Sequence, residues 1–316
     1  MITLACDFGG RRIKLGVVRD RTLVAQTVLP ARADLPLVER LPDVSRGLRE
    51  LCASQELDPA SAAGIGVSYP SVIDPRSGSP VDHFGKYGDV RWVDLQAWAQ
   101  AEFGLPLALE NDARAALIGE WQYGAGRGCD NVVIMTLGTG IGTAAVIEGR
   151  LLVGVHGQAG ILGGHLTVMQ QGRQCICGNC GCAEAEASTS VLDQLARQLP
   201  GFADSLLARY ATISYEQVFR GENDRVSRQL AELSLRVWCT LAVNLIHAYD
   251  PEVLILGGGV MGSGEVIQPV IARYVEAHAH TPWGAVAVVA SQLGDSAALL
   301  AAEWILSQRI QRGVRG

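Results

Sequence analysis

The chain has 316 residues, of which 48% are hydrophobic and 18% charged. That is long enough for two ordinary domain cores and too often interrupted by polar residues for a membrane protein. A net charge of −6, with no lysine- or arginine-rich run, excludes a basic nucleic-acid footprint, so neither nucleic acid nor a membrane is expected as a partner.

The first residues, MITLACDFGG, enter a strand pattern with no basic n-region, long apolar stretch or cleavage site, and a cytoplasmic protein is expected. From residue 2, ITLACDFGGRRIKLGVVRDRTLVAQTVL carries three short apolar or β-branched runs, broken at Gly9-Gly10-Arg11-Arg12 and at Arg19-Asp20-Arg21. This is the pattern of consecutive antiparallel strands. Periodicity then predicts a helix over 36–53, a strand in AAGIGVSY (62–69), a helix in VDLQAWAQAEFG (93–104), a strand in LPLALE (105–110) and a helix in DARAALIGEWQYGAG (112–126). The strand meander recurs in VVIMTLGTGIGTAAVIEGRLLVG (132–154). It is followed by a long helix over 225–248, a buried strand in EVLILGGG (252–259), a helix, a strand in AVAVVAS (285–291) and a last helix from about 296. A meander and then βα units, twice over, predicts an α/β protein with a mixed sheet flanked by helices in each of two domains. The cleft between such halves is the expected ligand site. The expected division is 1–112, with a returning helix from about 298–316, and 113–297.

In both halves a strand ends in a glycine-rich turn, Gly9-Gly10 in the first and Gly138-Thr139-Gly140 in the second. Glycine tolerates positive φ and lets backbone N–H groups face an anion, so two phosphate-facing hairpins are expected. The cysteines form a second signal. Four of the eight fall within GRQCICGNCGCAEAEAS (172–188), a density that suits a metal site better than a disulfide scaffold. A third signal is Asp112, which follows LPLALE and opens a helix; an aspartate there also suits an N-cap.

The stretches DFGGRRIKLGVV, ENDARAALIGEW, LGTGIGTAAVIEGRL, GGHLTV with CICGNCGCAEAEAS, and PEVLILGGG resemble, in order and spacing, the ROK family (repressor, open reading frame, kinase) over nearly the whole chain. That resemblance implies two actin-like (RNase H-like) domains and an ATP- and Mg²⁺-dependent kinase of a hexose-type sugar, commonly a homodimer. The family's repressors carry a helix-turn-helix ahead of the first phosphate motif, whereas here only six residues precede Asp7, so the kinase branch is expected. The resemblance implies a structural zinc on His165, Cys175, Cys177 and Cys182. Cys180 falls where the family has a non-ligand residue and is the spare thiol, although from the sequence alone it could replace His165 in an all-cysteine site. Four protein ligands leave no open position, so such a metal would be non-catalytic. By the same resemblance, Asp112 is the general base and Asn111, His165 and Glu184 bind sugar hydroxyls. Asp7 organises Mg²⁺, and Gly9, Gly10, Gly138, Thr139, Gly140 and Gly142 line the phosphate turns, with Arg11 as a further phosphate-binding candidate beside the first. Gly257, Gly258 and Gly259 lie against the adenosine.

The chain also departs from the family pattern. Gly10-Arg11-Arg12 stands where Gly-Gly-Thr is common, so an arginine would clamp phosphate or obstruct it. Ala159-Gly160-Ile161-Leu162-Gly163-Gly164-His165 lacks the sugar-binding glutamate of Ala-Gly-Glu-x-Gly-His. Asp82, His83, Lys86 and Tyr87 offer different polar groups from those of the glucokinases, so the pocket is expected to disfavour glucose. A second reading follows from the same departures: a sugar- or nucleotide-binding regulatory protein that kept the fold and the metal and lost efficient phosphoryl transfer. Retention of Asp112 favours the kinase; Arg11 and the missing glutamate favour the regulator.

Overall fold

The computed structural model describes residues 1–82 and 85–313, with side chains to Arg309, so His83 lies outside the described residues. The chain forms two compact α/β units. One comprises residues 1–127, 153–159 and 295–316, the other 128–152 and 160–294.

In the first unit, β1 (Ile2–Phe8), β2 (Arg12–Arg19) and β3 (Thr22–Pro30) form the expected meander, followed by α1 (Leu37–Ser54), β4 (Ile65–Tyr69), α2 (Leu95–Phe103), β5 (Leu107–Asn111) and α3 (Asp112–Tyr123). The sheet order is β3-β2-β1-β4-β5, antiparallel across the meander and parallel from β1 to β5. Leu4, Ala5, Cys6 and Phe8 are all buried, so β1 is covered on both faces, as its unbroken apolar run requires. Helix α2 starts where Asp94 Oδ1 accepts the N–H groups of Gln96 and Ala97, both at 3.0 Å, and stops at Gly104 with φ +70°.

The second unit repeats this plan. It contains β6 (Val132–Leu137), β7 (Ile141–Ile147), β8 (Arg150–Leu151), α4 (Ala183–Ala187), α5 (Thr189–Gln198), α6 (Tyr215–Arg220), α7 (Arg225–Tyr249), β9 (Val253–Gly257), α8 (Gly264–His278) and β10 (Ala287–Ala290). The order β10-β9-β6-β7-β8 is the first sheet's order with β6 to β10 standing for β1 to β5. Val133, Met135 and Leu137 pack with Leu254, Leu256 and the α7 residues Trp238, Leu241 and Leu245. Each large buried aliphatic side chain there contributes about 1.5–3 kcal/mol relative to exposure. Tyr215 Oη and Trp238 Nε1 both donate to the Ala187 carbonyl, at 2.9 and 3.1 Å, so the polar tips of these buried rings are satisfied. Helices α4 and α6 are too short to show a period in the sequence, whereas α5 buries Leu192, Leu195 and Ala196 at i, i+3, i+4 spacing. No helix among the described residues is long and apolar enough to cross a membrane.

The chain then returns to the first unit as α9 (Ala297–Leu300) and α10 (Ala302–Gly313). The contacts divide the chain after Arg127, not after Asp112, because α3 packs on α9 too closely to separate from it. A β-carbon on Gly119 would overlap the carbonyl of Ala297. Replacing Gly119 by alanine is worth about 1 kcal/mol in favour of the helix by propensity. Overpacking against a backbone carbonyl costs about 1–3 kcal/mol and outweighs that gain. Gly119→Ala is therefore expected to lower the urea midpoint and the melting temperature, where helix propensity alone would raise both.

Candidate active site

At the first turn, β1 hands over to β2 through Gly9 and Gly10, with the Gly9 N–H donating to the Arg12 carbonyl at 2.9 Å. The Gly9 carbonyl accepts the Tyr87 hydroxyl at 3.0 Å, and the Arg11 carbonyl accepts the Ala31 N–H at 3.1 Å. Among the described residues, the N–H groups of Gly10 and Arg11 have no acceptor. Two adjacent unpaired N–H groups in a glycine turn form a concavity suited to an anion. Asp7, at the end of β1, accepts Ser68 Oγ at 2.7 Å on Oδ1 and Lys14 Nζ at 3.1 Å on Oδ2. Lys14 also pairs with Asp295 at 2.9 Å, and Asp295 with Arg12 at 2.9 Å. Burial opposes the Lys14 charge, yet Asp7 and Asp295 together hold its pKa above the ordinary value. Arg11 is exposed, and among the described residues its side chain has no hydrogen-bond partner.

The junction of β5 and α3 carries Asn111, Asp112 and Arg114. The N-cap is Asn111 and not Asp112: its Oδ1 accepts the N–H groups of Ala113 at 3.0 Å and Arg114 at 3.2 Å. Its Nδ2 donates to the Ser71 carbonyl at 3.1 Å and to Asp112 Oδ1 at 3.0 Å. The buried amide is thus fully committed within the protein, where sequence reading expected a direct sugar contact. Asp112 Oδ1 also accepts the Ala113 N–H at 2.8 Å, while among the described residues Oδ2 accepts no hydrogen bond. Burial holds the Asp112 carboxyl above the usual carboxylate range; Lys86 opposes that shift and Asp7 reinforces it. One oxygen is anchored and the other is left to accept a proton. Two residues on, the buried Arg114 pairs with Glu110 at 3.2 Å and donates to the carbonyls of Val153, Gly157 and Ala159 at 3.2, 2.9 and 2.9 Å. It fastens residues 153–159 to α3. No motif announced that role, and its one sequence signal is the i,i+4 spacing from Glu110.

In the second unit, β6 ends at Leu137 and the turn continues through Gly138, Thr139 and Gly140. The carbonyls of Gly138 and Thr139 accept the N–H groups of Thr189 and Ser190, at 2.9 and 3.3 Å. The N–H groups of Thr139 and Gly140 have no acceptor among the described residues, as at the first turn. Glu184 Oε2 accepts the Ile141 N–H at 2.9 Å, and a β-carbon on Gly140 would overlap that oxygen. At the end of neighbouring β9, Gly258 has φ +87° and lies against the Leu137 backbone, whereas Gly259 faces open space. Gly142 lies in β7, where it pairs with Thr136.

The cysteine loop gathers one donor atom from each of His165, Cys175, Cys177 and Cys182 within 4.8 Å of one another. Cys177 and Cys182 Sγ are 3.7 Å apart, and Cys175 Sγ is 3.5 Å from His165 Nδ1. A tetrahedral ion with metal–sulfur bonds near 2.3 Å spaces its sulfurs roughly 3.8 Å apart, so the set fits a four-coordinate cation. Cys180 is exposed and donates to Gln174 Oε1 at 3.2 Å, outside this group. Burial raises the Cys175 thiol and pushes Cys182 up to about 12. A second anchor, absent from the sequence reading, is Glu186, fully buried, which accepts the Arg173 N–H and pairs with the Arg173 guanidinium at 2.8 Å. Its signal was a carboxylate inside the alanine-rich run Ala183–Ala187. Ile161 is buried and Leu162 half-buried where a sugar-binding glutamate was sought.

The matched model of the ROK family spans residues 3–309, and the chain belongs to that family. A glucokinase of Thermotoga maritima is 30% identical over 315 residues, covering 97% of this chain and 98% of that protein. A ROK family glucokinase of Streptomyces griseus, solved with glucose and AMPPNP, superposes with a TM-score of 0.79 at 28% identity, covering 98% and 100% of the two chains. A xylose repressor of Caldicellulosiruptor bescii is 31% identical over 226 residues, 66% of this chain and 53% of that protein.

The Glu184–Gly140 contact is open to test in solution. Gly140→Ala is expected to displace Glu184 from the Ile141 N–H and to speed hydrogen exchange of the amides around residues 138–141, while the protection of β9 stays unchanged.

Proposed function

We propose that the chain is an ATP-dependent kinase that transfers the γ-phosphoryl group to a hydroxyl of a hexose-type sugar, with Asp112 as the general base. The observation that carries this reading is the Asp112 carboxylate, pinned through Oδ1, with no hydrogen bond to Oδ2 among the described residues, and raised in pKa by burial. A base near the operating pH is the most effective one, and phosphoryl transfer needs little more than such a base, positioning and charge neutralisation. The first glycine turn, whose Gly10 and Arg11 N–H groups have no acceptor among the described residues, supports binding of a nucleotide phosphate. Asp7, with its oxygen donors, is the residue that would hold the Mg²⁺ that accompanies ATP; that ion supplies charge neutralisation and keeps several waters. Asn111 acts through Asp112 by fixing its orientation. Glu184 retains Oε1, and His165 its Nε2, for sugar hydroxyls.

The regulatory reading draws on the repressor relative and on Ile161 and Leu162. Retention of an anchored, proton-accepting Asp112 favours the kinase. With an apolar wall there, a glucose hydroxyl that meets no partner costs about 1–3 kcal/mol, so a sugar with a different hydroxyl pattern fits this wall better. A coupled assay across glucose, its epimers and N-acyl derivatives tests the reading. Asp112→Asn is expected to keep fold and binding and to lower kcat by ~10²- to 10⁴-fold. The base must be ionised, so activity should fall as the pH drops through its raised pKa, an acid limb above that of an ordinary aspartate. If Asp112→Asn is nearly as active as the parent, the assignment is wrong.

We further assign the cysteine loop to structural zinc on His165, Cys175, Cys177 and Cys182. The sulfur and nitrogen donors suit that ion, and all four positions are filled by protein. Elemental analysis should find one zinc per chain, kept in Cys180→Ser and lost in Cys177→Ser. Loss should loosen the residue 172–182 loop and weaken sugar binding more than nucleotide binding.

A further inference from the structure

Three cationic side chains other than Arg11 stand around the first glycine turn, and two of them are already neutralised: Arg12 by Asp295, Lys14 by Asp7 and Asp295. Lys86 is different. Its side chain lies over Gly10, with Cε 3.2 Å and Nζ 3.8 Å from the position a β-carbon there would take. It is half-buried, and among the described residues its ammonium group makes no hydrogen bond or ion pair. An ammonium group with no hydrogen-bonded partner beside an anion-suited turn is placed to receive an anionic ligand.

The segment that carries Lys86 is held firmly. Tyr87 takes a left-handed φ of +49°, a conformation that a bulky residue keeps only when its surroundings impose it. Those surroundings are explicit. The Tyr87 N–H donates to the Ala33 carbonyl at 2.7 Å, its hydroxyl to the Gly9 carbonyl at 3.0 Å, and its ring meets Phe8 edge-on at 5.9 Å and lies tilted against Tyr69, also at 5.9 Å. Asp89 accepts the N–H groups of Leu37 and Val38 at the start of α1. The same tyrosine that shapes the turn therefore aims its neighbour across it. Below Lys86 lie the unpaired N–H groups of Gly10 and Arg11, and its charge reaches the Asp112 carboxylate.

We propose that Lys86 is a catalytic cation of phosphoryl transfer, contacting the transferring γ-phosphoryl group above the Gly9-Gly10 turn. This rests on the kinase reading. In the step, the sugar oxygen forms the new O–P bond, and the bond from the γ-phosphorus to the bridging oxygen breaks with its electron pair leaving on ADP. The hydroxyl proton passes to Asp112. Lys86 keeps its protons, and its charge offsets the negative charge on the equatorial oxygens of the group in flight. Arg11, the cation first expected on phosphate, is exposed to solvent, and this role passes to Lys86.

The test uses the full chain with Lys86→Ala and Lys86→Arg, each checked for an unchanged melting temperature. Calorimetry in the presence of Mg²⁺ compares AMPPNP with ADP. Lys86→Ala should weaken AMPPNP by about 10- to 100-fold, the loss of one charge-assisted hydrogen bond, and leave ADP nearly unchanged. In the sugar kinase assay its kcat should fall by about 10²- to 10³-fold with the sugar KM little altered, and arginine should restore part of both losses. The acid limb of kcat should move to higher pH, because Lys86 no longer favours the Asp112 carboxylate. An AMPPNP-to-ADP ratio and a kcat that both stay at the parent values overturn the proposal. A parent that binds both nucleotides but phosphorylates no sugar overturns the kinase reading, and the nucleotide ratio then decides Lys86 by itself. A parent that binds neither nucleotide overturns both.

Discussion

The Asn111 side chain ends a strand, starts a helix and holds the adjacent carboxylate, using every hydrogen bond its amide can make. A buried amide left half-paired would cost about 1–3 kcal/mol, so the junction of β5 and α3 has little freedom to settle otherwise. Much follows from that rigidity. Asp112 is oriented through one oxygen only, and Arg114 enters the protein at an angle from which three carbonyls of residues 153–159 can be gathered. The segment bound this way belongs to the first unit although the residues before and after it belong to the second.

The same economy of backbone groups governs both turns. In each, the carbonyls are taken up by neighbouring groups, a tyrosine hydroxyl and the Ala31 amide at the first turn, two amides at the second, while two successive N–H groups have no acceptor among the described residues. The arrangement repeats on two sheets of equivalent strand order, so each unit carries its own anion-suited turn at the end of its central strand. The turns differ in their charged company. The first has Asp7 in an ion pair and Lys86 without one among the described residues; the second has the Glu184 carboxylate bound to the Ile141 N–H.

The residue 172–182 loop shows how a small region without a core is ordered. Its apolar content is slight, and the pair between the buried Glu186 and the half-buried Arg173 ties it to α4 beside the four-donor set. Breaking a buried ion pair by removing one partner is strongly destabilising, because the remaining charge is stranded. Glu184 stands between this loop and the Ile141 amide, so order in the loop and order in the second turn are linked through a single carboxylate.

Strand meanders, helix periods, both glycine turns and the cysteine cluster were legible in the sequence because each is a local pattern with a local physical cause; the choice of His165 over Cys180 was not, and the folded loop makes it. Alternation marks a strand, a 3.6-residue repeat marks a helix, and glycine pairs mark tight turns. The duplication of the fold could be read in the same way, since it is the same local pattern met twice. What the tertiary structure alone decided is which polar groups find partners. The resemblance implied Asn111 as a sugar ligand and Asp112 as the general base, with an N-cap as the plainer role of Asp112; in the fold the cap is Asn111, and Ser71, a distant residue, supplies the second acceptor that commits its amide. Sequence pattern offered Arg11 as the phosphate cation, and the fold turned that residue to solvent and brought Lys86 over Gly10 from another part of the chain. The boundary of the first unit was decided likewise by a glycine of α3 meeting the carbonyl of Ala297. Contacts between residues far apart in the chain leave no period and no spacing to read, and only the folded arrangement shows them.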